Sequence, residues 1–310
     1  MRIFTLPNIL LLCVCLPLWS FSNIKTDSLK QENYKFIIDS VNATFTYKTG
    51  DITLSNGAVI HVPAGFRFLD NAQSKKVLEE LWGNPENNKT MGMLFPDNLG
   101  PLDESAWAFE ISFDGLGYIK DEDAHKTNFN DLLKEMKSDV AKENEVRVKE
   151  GFSAVELVGW ASPPYYDQEN KVLHWAKELK FDHDDHNTLN YDVRILGRKG
   201  VLRLNAIGQM SQLPLIKTKI PLIVKSATFT EGHRYADFNP QADNIAVWTI
   251  GGLVAGKVLA KAGFFIVLLK FWKVIAAAVI AGASFLTRFF RKKREKTLKE
   301  ATIRIDETLN

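Results

Sequence analysis

Cysteine is almost missing from this chain. Of 310 residues only two are Cys, and both, Cys13 and Cys15, sit in an apolar stretch near the N-terminus. If that stretch is removed, no disulfide framework is available and the protein must rely on its core. Catalytic signatures are missing as well: there is no glycine-rich nucleotide loop, no G-x-S-x-G nucleophile elbow and no strong metal motif. Ser153, Ser162 and Ser211 have no partner that the sequence identifies. Net charge is nearly absent too, at +2, but it is unevenly spread. Residues 23–244 hold 26 basic and 33 acidic side chains, and residues 245–310 hold 12 and 4. An acidic main region argues against nucleic acid as a partner. The basic tail points to a membrane surface.

What is present suits one or two globular domains: 45% hydrophobic and 25% charged residues. Residues 1–22 have the form of a secretory signal, with Arg2, an apolar Ile9–Leu18 core and small residues at Ser20 and Ser22 that suggest cleavage after Ser22. A retained N-terminal anchor is the competing reading.

The chain is organised around residues 151–208. Alternation in 171–181 (Leu173, Trp175, Leu179, Phe181), in 188–198 (Leu189, Tyr191, Val193, Ile195 against Asn190, Asp192, Arg194) and in 201–208 predicts consecutive antiparallel strands. Gly197 to Gly200 reads as a hairpin turn. Pro163-Pro164 belongs in a loop or on an edge. Earlier, strands over 51–54 and 58–62 flank Ser55-Asn56-Gly57, and further strands are expected at 65–69, 91–95 and 107–120. Helical spacing predicts a helix over 74–82 capped by Ser74, and another over 129–142 with Phe129, Leu132, Leu133, Met136 and Val140 on one face. A third spans 212–225, kinked or broken at Pro221. Residues 227–230 offer a last strand and 231–244 a polar connector. The expected fold is α+β, a mostly antiparallel sheet with two to three packed helices as a sandwich over 23–230, followed by a C-terminal membrane helix region. The order of elements resembles the PsbP-like group of small periplasmic and lumenal domains.

Several blocks carry a second resemblance: G-W-A-S-P-P-Y-Y-D (159–167), H-W-A-K-E-L (174–179), L-N-Y-D-V-R-I-L-G-R-K-G-V-L (189–202), G-H-R-Y-A-D-F (232–238) and G-G-L-V-A-G (251–256). From about Asn33 to Lys273 the chain resembles a bacterial family of predicted membrane-anchored proteins with a domain of unknown function. The resemblance implies an anchored envelope protein and assigns no catalytic residue.

Residues 245–290 are apolar, interrupted by Lys257, Lys261, Lys270 and Lys273. We expect an amphipathic or re-entrant helix over 245–262, a transmembrane helix over 263–290 and a basic cytoplasmic tail over 291–310 opening on Arg291-Lys292-Lys293-Arg294. This orientation places the main domain in the periplasm and the anchor in the bacterial inner membrane. Gly252 and Gly256 form a small-residue stripe suited to helix packing; with Lys270 and Lys273 they are the membrane-packing candidates.

Among chemistry-bearing clusters, His183-Asp184-Asp185-His186 could share a metal, but a solvated turn has the same composition. Asp121-Glu122-Asp123-Ala124-His125 could supply acid/base carboxylates, or simply favour a helix start. Trp160, Tyr165, Tyr166 and Asp167 suit a binding surface or core packing. Arg234, Tyr235 and Asp237 lie at the junction with the apolar segment. No catalytic residue, metal or cofactor is assigned. The reading is of an envelope protein whose external domain binds or assembles with another membrane component: the lipid bilayer, a membrane protein or a second copy. A metal- or carboxylate-dependent envelope hydrolase and an oligomerising membrane-shaping protein are the alternatives.

Overall fold

The Asn56-Gly57 turn forms as its chemistry requires. Gly57 has φ +79, a region open to glycine, and closes an antiparallel hairpin of β1 (Asp51–Thr53) and β2 (Ala58–His61). The computed structural model in which this is seen describes residue 32 and residues 34–257 other than 87 and 183. A first helix, α1 (34–42), precedes the hairpin.

After it, β3 (Phe66–Asp70), β4 (Thr90–Pro96) and β5 (Ala108–Asp114) form one antiparallel meander. A second comprises β6 (Val155–Asp167), β7 (Val172–Phe181), β8 (Thr188–Leu196) and β9 (Val201–Gln209). The two dock along β5 and β9, giving a seven-stranded sheet ordered β3-β4-β5-β9-β8-β7-β6. Pro163 and Pro164 lie within β6, at the sheet's edge, where a missing donor costs no ladder bond.

The helix between β3 and β4 begins before Ser74. Asp70 caps it by accepting from the Gln73 amide, α2 spans Asn71–Lys75, and a π-helical turn continues over Lys76–Leu81. Ser74 is buried and donates its hydroxyl to the Leu69 carbonyl. The next helix, α3 (Phe129–Lys149), starts as its apolar stripe predicts, with Asn128 as cap, and runs a further two turns. α4 (Leu213–Ser226) continues through Pro221 because Ile216, Ile220 and Ile223 pin both halves to the core. Strand β10 (Ala227–Phe229) does not join the large sheet; it pairs with β2 to make a small three-stranded one.

The main core lies between the first face of the large sheet (Phe66, Phe68, Leu94, Phe109, Ile111, Val193, Leu202, Leu204) and a cover of α4 and the small sheet. Burying each such side chain stabilises by about 1.5–3 kcal/mol before the loss of chain entropy is counted. The second face is covered at both ends. At the β3–β4 end, Val77 and Leu78 pack on Leu69, Met93 and Phe95. At the β6–β7 end lies α3, where Phe129 accepts a hydrogen bond from the Trp160 indole. A sheet buried on both faces was not expected from the alternation.

The α+β, antiparallel part of the expected fold stands, but the C-terminal membrane helix region requires correction. Among the described residues no helix is long and apolar enough to cross a membrane. Among the described residues of the apolar segment, the chain forms the six-residue α5 (Ile250–Ala255), whose residues Ile250 to Val254 are buried and which packs on α3. Ile245 bridges Tyr118 with its side chain exposed, which ties this stretch to the domain through the backbone. Residues 258–262 of the expected 245–262 helix, the expected 263–290 helix, the 291–310 tail and the 1–22 signal lie outside the described residues.

Candidate functional site

Three separate sequence clusters meet at one carboxylate. Asp121 Oδ2 accepts from the Tyr166 hydroxyl at 2.7 Å and from Lys171 Nζ at 2.8 Å; Oδ1 accepts from the Tyr235 hydroxyl at 3.0 Å. Lys171 reaches it from the β6–β7 turn, where its backbone takes a left-handed φ of +57. That conformation costs about 1–2 kcal/mol for a residue with a side chain. Burial alone would raise the Asp121 carboxyl, but the bonds from Lys171, Tyr166 and Tyr235 outweigh it and hold the group below the usual carboxylate range. Burial and the same carboxylate push Tyr166 up, and burial followed by Tyr118 and Asp121 pushes Tyr235 up, so both phenols stay protonated donors.

Around this centre Tyr118 is stacked between Tyr235, at 4.5 Å, and Phe238, at 3.9 Å. Arg198 Nε donates to Asp243 at 2.7 Å. The Ala246 amide donates to Tyr118 O at 2.8 Å. The 231–246 connector is therefore clasped to the domain. Gly117 (φ +88) permits the closest approach, since a Cβ there would stand 2.7 Å from the Asn244 carbonyl oxygen.

The other sequence candidates are dispersed. Trp160 is half-buried beneath α3, and Tyr165 is exposed against His174. Asp167 caps its turn by accepting from the Glu169 and Asn170 amides. Asp237 accepts from the amides of Gly232 and Arg234. Gly252 is buried in α5, and Gly256, with φ +73, follows that helix's end. Lys270 and Lys273 lie outside the described residues. Asp184, Asp185 and His186 are exposed in the β7–β8 turn, and His183 is not described. Among the described residues no three His, Cys, Asp or Glu side chains are gathered to hold a metal.

The residues that sequence reading missed lie on the second face of the sheet, between its two covers. One row across the strands is Glu110, Asn205, Asp192, Trp175, and the next is Ser112, Arg203, Arg194, Leu173. Asp114 continues the β5 edge of this patch. Arg194 and Arg203 stand directly opposite each other, each flanked by the same two aspartates. The distances are 4.0 and 3.8 Å from Arg194 to Asp114 and Asp192, and 3.7 and 3.9 Å from Arg203 to the same pair. Lys177 adds 3.4 Å to Asp192. This is a closed ring of four alternating charges, yet every edge exceeds charge-assisted hydrogen-bond length.

Asp192 and Arg194 are 3% and 8% exposed at the side chain. Burial works to raise Asp192, but Lys177, Arg194 and Arg203 together hold it below its usual range. Burial lowers Arg194 to about 10, still charged at neutral pH. Glu110 is raised by burial, against the pull of Arg203 and of the Ser112 hydroxyl, which donates to Oε2 at 3.1 Å. The Thr90 hydroxyl also faces this carboxyl without hydrogen-bond geometry.

Buried polar atoms without a partner converge here: Thr90 Oγ1, Glu110 Oε1, Trp175 Nε1, Arg194 Nε, Arg203 Nε and Asn205 Oδ1. Buried polar groups are ordinarily bonded to protein or to ordered water, so these six mark where water or other atoms can complete the bonding. One row along, Asn190 and Ile207 floor a cavity of about 560 Å³, walled by Trp82 and Asn84 on one side and Arg147 and Phe181 on the other.

No curated protein matches the chain. Among solved structures, the solution structure of cyanobacterial PsbP (CyanoP) from Synechocystis sp. PCC 6803 aligns over 60% of this chain and 92% of its own, at 9% identity and a TM-score of 0.33. Residues 46–284 match the family described as Protein of unknown function (DUF2167), and the chain belongs to that family.

Proposed function

We propose that this protein is a binding and assembly module of the bacterial envelope, acting in the periplasm on another component of the inner membrane. The observation that carries the reading is the second face of the sheet. A domain that buries six polar atoms without partners beside a cavity of about 560 Å³ holds unmet hydrogen-bonding capacity where a binding partner can meet it. Buried ionic networks of this kind add little stability over apolar packing.

The test is isolation of the full-length protein from native membranes in mild detergent, beside Arg203→Leu, with native mass spectrometry of both. Wild type should carry a bound species that the variant loses. Equal occupancy in the two, or none in either, overturns the reading. One observation favours a carboxylate-dependent hydrolase instead: Glu110 is a buried acid inclined to keep its proton beside two arginines. Hydrolysis by wild type that Glu110→Gln abolishes, with binding intact, would decide for that alternative.

A further inference from the structure

Acid is missing from one long stretch of this otherwise acidic domain. Residues 193–230 hold seven Lys and Arg and no Asp or Glu, and α4 is the long helix of that stretch. Its arginines are paired with acids brought from elsewhere: Arg194 and Arg203 with Asp114 and Asp192, and Arg198 with Asp243. Lys217, Lys219 and Lys225, all on α4, enter no ion pair among the described residues.

The side of α4 turned away from the sheet is apolar as well as basic. Ile216, Ile220 and Ile223 face the core, which leaves Leu215 48% and Leu222 41% exposed on the outer side, seven residues and two turns apart. Pro214 and Pro221 are exposed at the same spacing. Lys217 and Lys219 flank this stripe, and Lys225 closes its C-terminal end. Every other exposed large apolar side chain among the described residues has an Asp or Glu within four residues of it: Val146 and Val148 stand among glutamates, and Tyr165 beside Asp167. For Leu215 and Leu222 the nearest acid in the chain is Glu231, beyond the helix and the strand that follows it. Scattered apolar residues on a surface are ordinary, but an apolar stripe fenced by cations alone is complementary to an anionic bilayer. Both halves of α4 are pinned to the core, so its outer side can meet a plane along its whole length of about 21 Å.

We infer that the outer side of α4 docks on an anionic lipid bilayer. Leu215, Leu222 and the two prolines enter the boundary between headgroups and acyl chains, and the three lysines reach up to the lipid phosphates while their stems cover apolar surface. α4 covers the first face of the sheet, so docking leaves the second face, with its polar patch, on the side away from the lipid. The inference therefore concerns a different surface from the binding-module reading, and the two fail separately.

The experiment is lysine footprinting of the unaltered full-length protein, reconstituted in vesicles of phosphatidylcholine alone or of phosphatidylcholine mixed with phosphatidylglycerol. Acetic anhydride modifies the lysines and mass spectrometry reads the rate at each. Lys217 and Lys225 should be modified at least about fivefold more slowly in the anionic vesicles, the factor that one lysine contributes at about 1 kcal/mol. Lys137, exposed on α3, should react equally in both. Because the readout is local to α4, attachment through the basic 245–310 stretch does not register in it. Leu215→Ser combined with Leu222→Ser should restore the rates at Lys217 and Lys225 in the anionic vesicles; both side chains are exposed, so the fold should persist, and Lys137 reports on it. Equal rates in the two kinds of vesicle, or protection that the serine variant keeps, overturns the inference. Protection in both kinds that grows with protein density assigns the face to a second copy, and protection seen only in native membranes assigns it to a protein partner; either result overturns the inference too.

Discussion

Replacing Asp121 by Ala should loosen the connector more than it harms the sheet. The carboxylate accepts three hydrogen bonds, from Tyr166, Lys171 and Tyr235, and its side chain is 14% exposed. A hydrogen bond to a charged group contributes about 1.5–3 kcal/mol. Three would sum to more than the loss expected here, because Lys171 is 30% exposed and can turn to water, and because bonds that share one acceptor are not additive. We expect a loss of about 3 kcal/mol, which for a domain of this size lowers Tm by about 6–12 °C.

Hydrogen exchange supplies the specific readout. Amides of residues 231–246 should lose protection in Asp121→Ala, while those of β7 to β9 change only with global stability. A double-mutant cycle with Tyr235→Phe should return a coupling of about 1 kcal/mol. A loss below about 0.5 kcal/mol, or a loss with connector protection intact, would refute the clasp as a cooperative unit.

The remaining expectations are simpler. Ile223→Ala empties a fully buried position between α4 and the sheet and should cost about 2–5 kcal/mol in urea unfolding. Glu110 has a raised folded-state pKa, so its favourable contribution is complete below the unfolded value and is lost as pH rises through the folded one. Glu110→Gln keeps the neutral form and should flatten the fall in stability that sets in as pH rises above the unfolded value, read as urea midpoints. Asp121 is depressed, so the stability it adds is present above its unfolded pKa and lost as pH falls through the folded value; Asp121→Asn should shorten that acid limb. Gly117→Ala combines a left-handed φ with a clash against the Asn244 carbonyl and should cost about 1–3 kcal/mol, with the exchange signature of a released connector.

The strands of the second meander are legible in the sequence because alternation is local information: Leu189, Tyr191, Val193 and Ile195 announce a buried face wherever the sheet ends up. Ser74 misleads as a cap because Asp70, four residues earlier, offers a side chain that reaches an amide first. The polar alternants mislead for a different reason. Asp192, Arg194 and Arg203 have the composition of a solvent face, yet in the folded sheet the first two are buried and the third is half-buried. The available clue is that opposite charges recur in alternation on β5, β8 and β9. Periodicity cannot disclose that Asp121 meets Tyr166, 45 positions away, and Tyr235, 114 away, since each looks like an isolated polar residue until the chain has folded.

The docking of two meanders along β5 and β9 has a consequence for how the protein matures. Each meander can form from neighbouring strands, but the strands of the seam are separated by all of α3, β6, β7 and β8. Closing so long a loop is slow, so the seam forms late relative to its halves. The charged ring straddles that seam: Asp114 comes from the first half, and Asp192, Arg194 and Arg203 come from the second. A chain folded in only one half therefore has no ring. It carries charged side chains, Asp114 on β5 or Arg203 on β9, on an exposed strand edge, which keep it dissolved and discourage a strange strand from adding there. The same side chains that form the completed site thus guard the nascent protein against mispairing before the site exists.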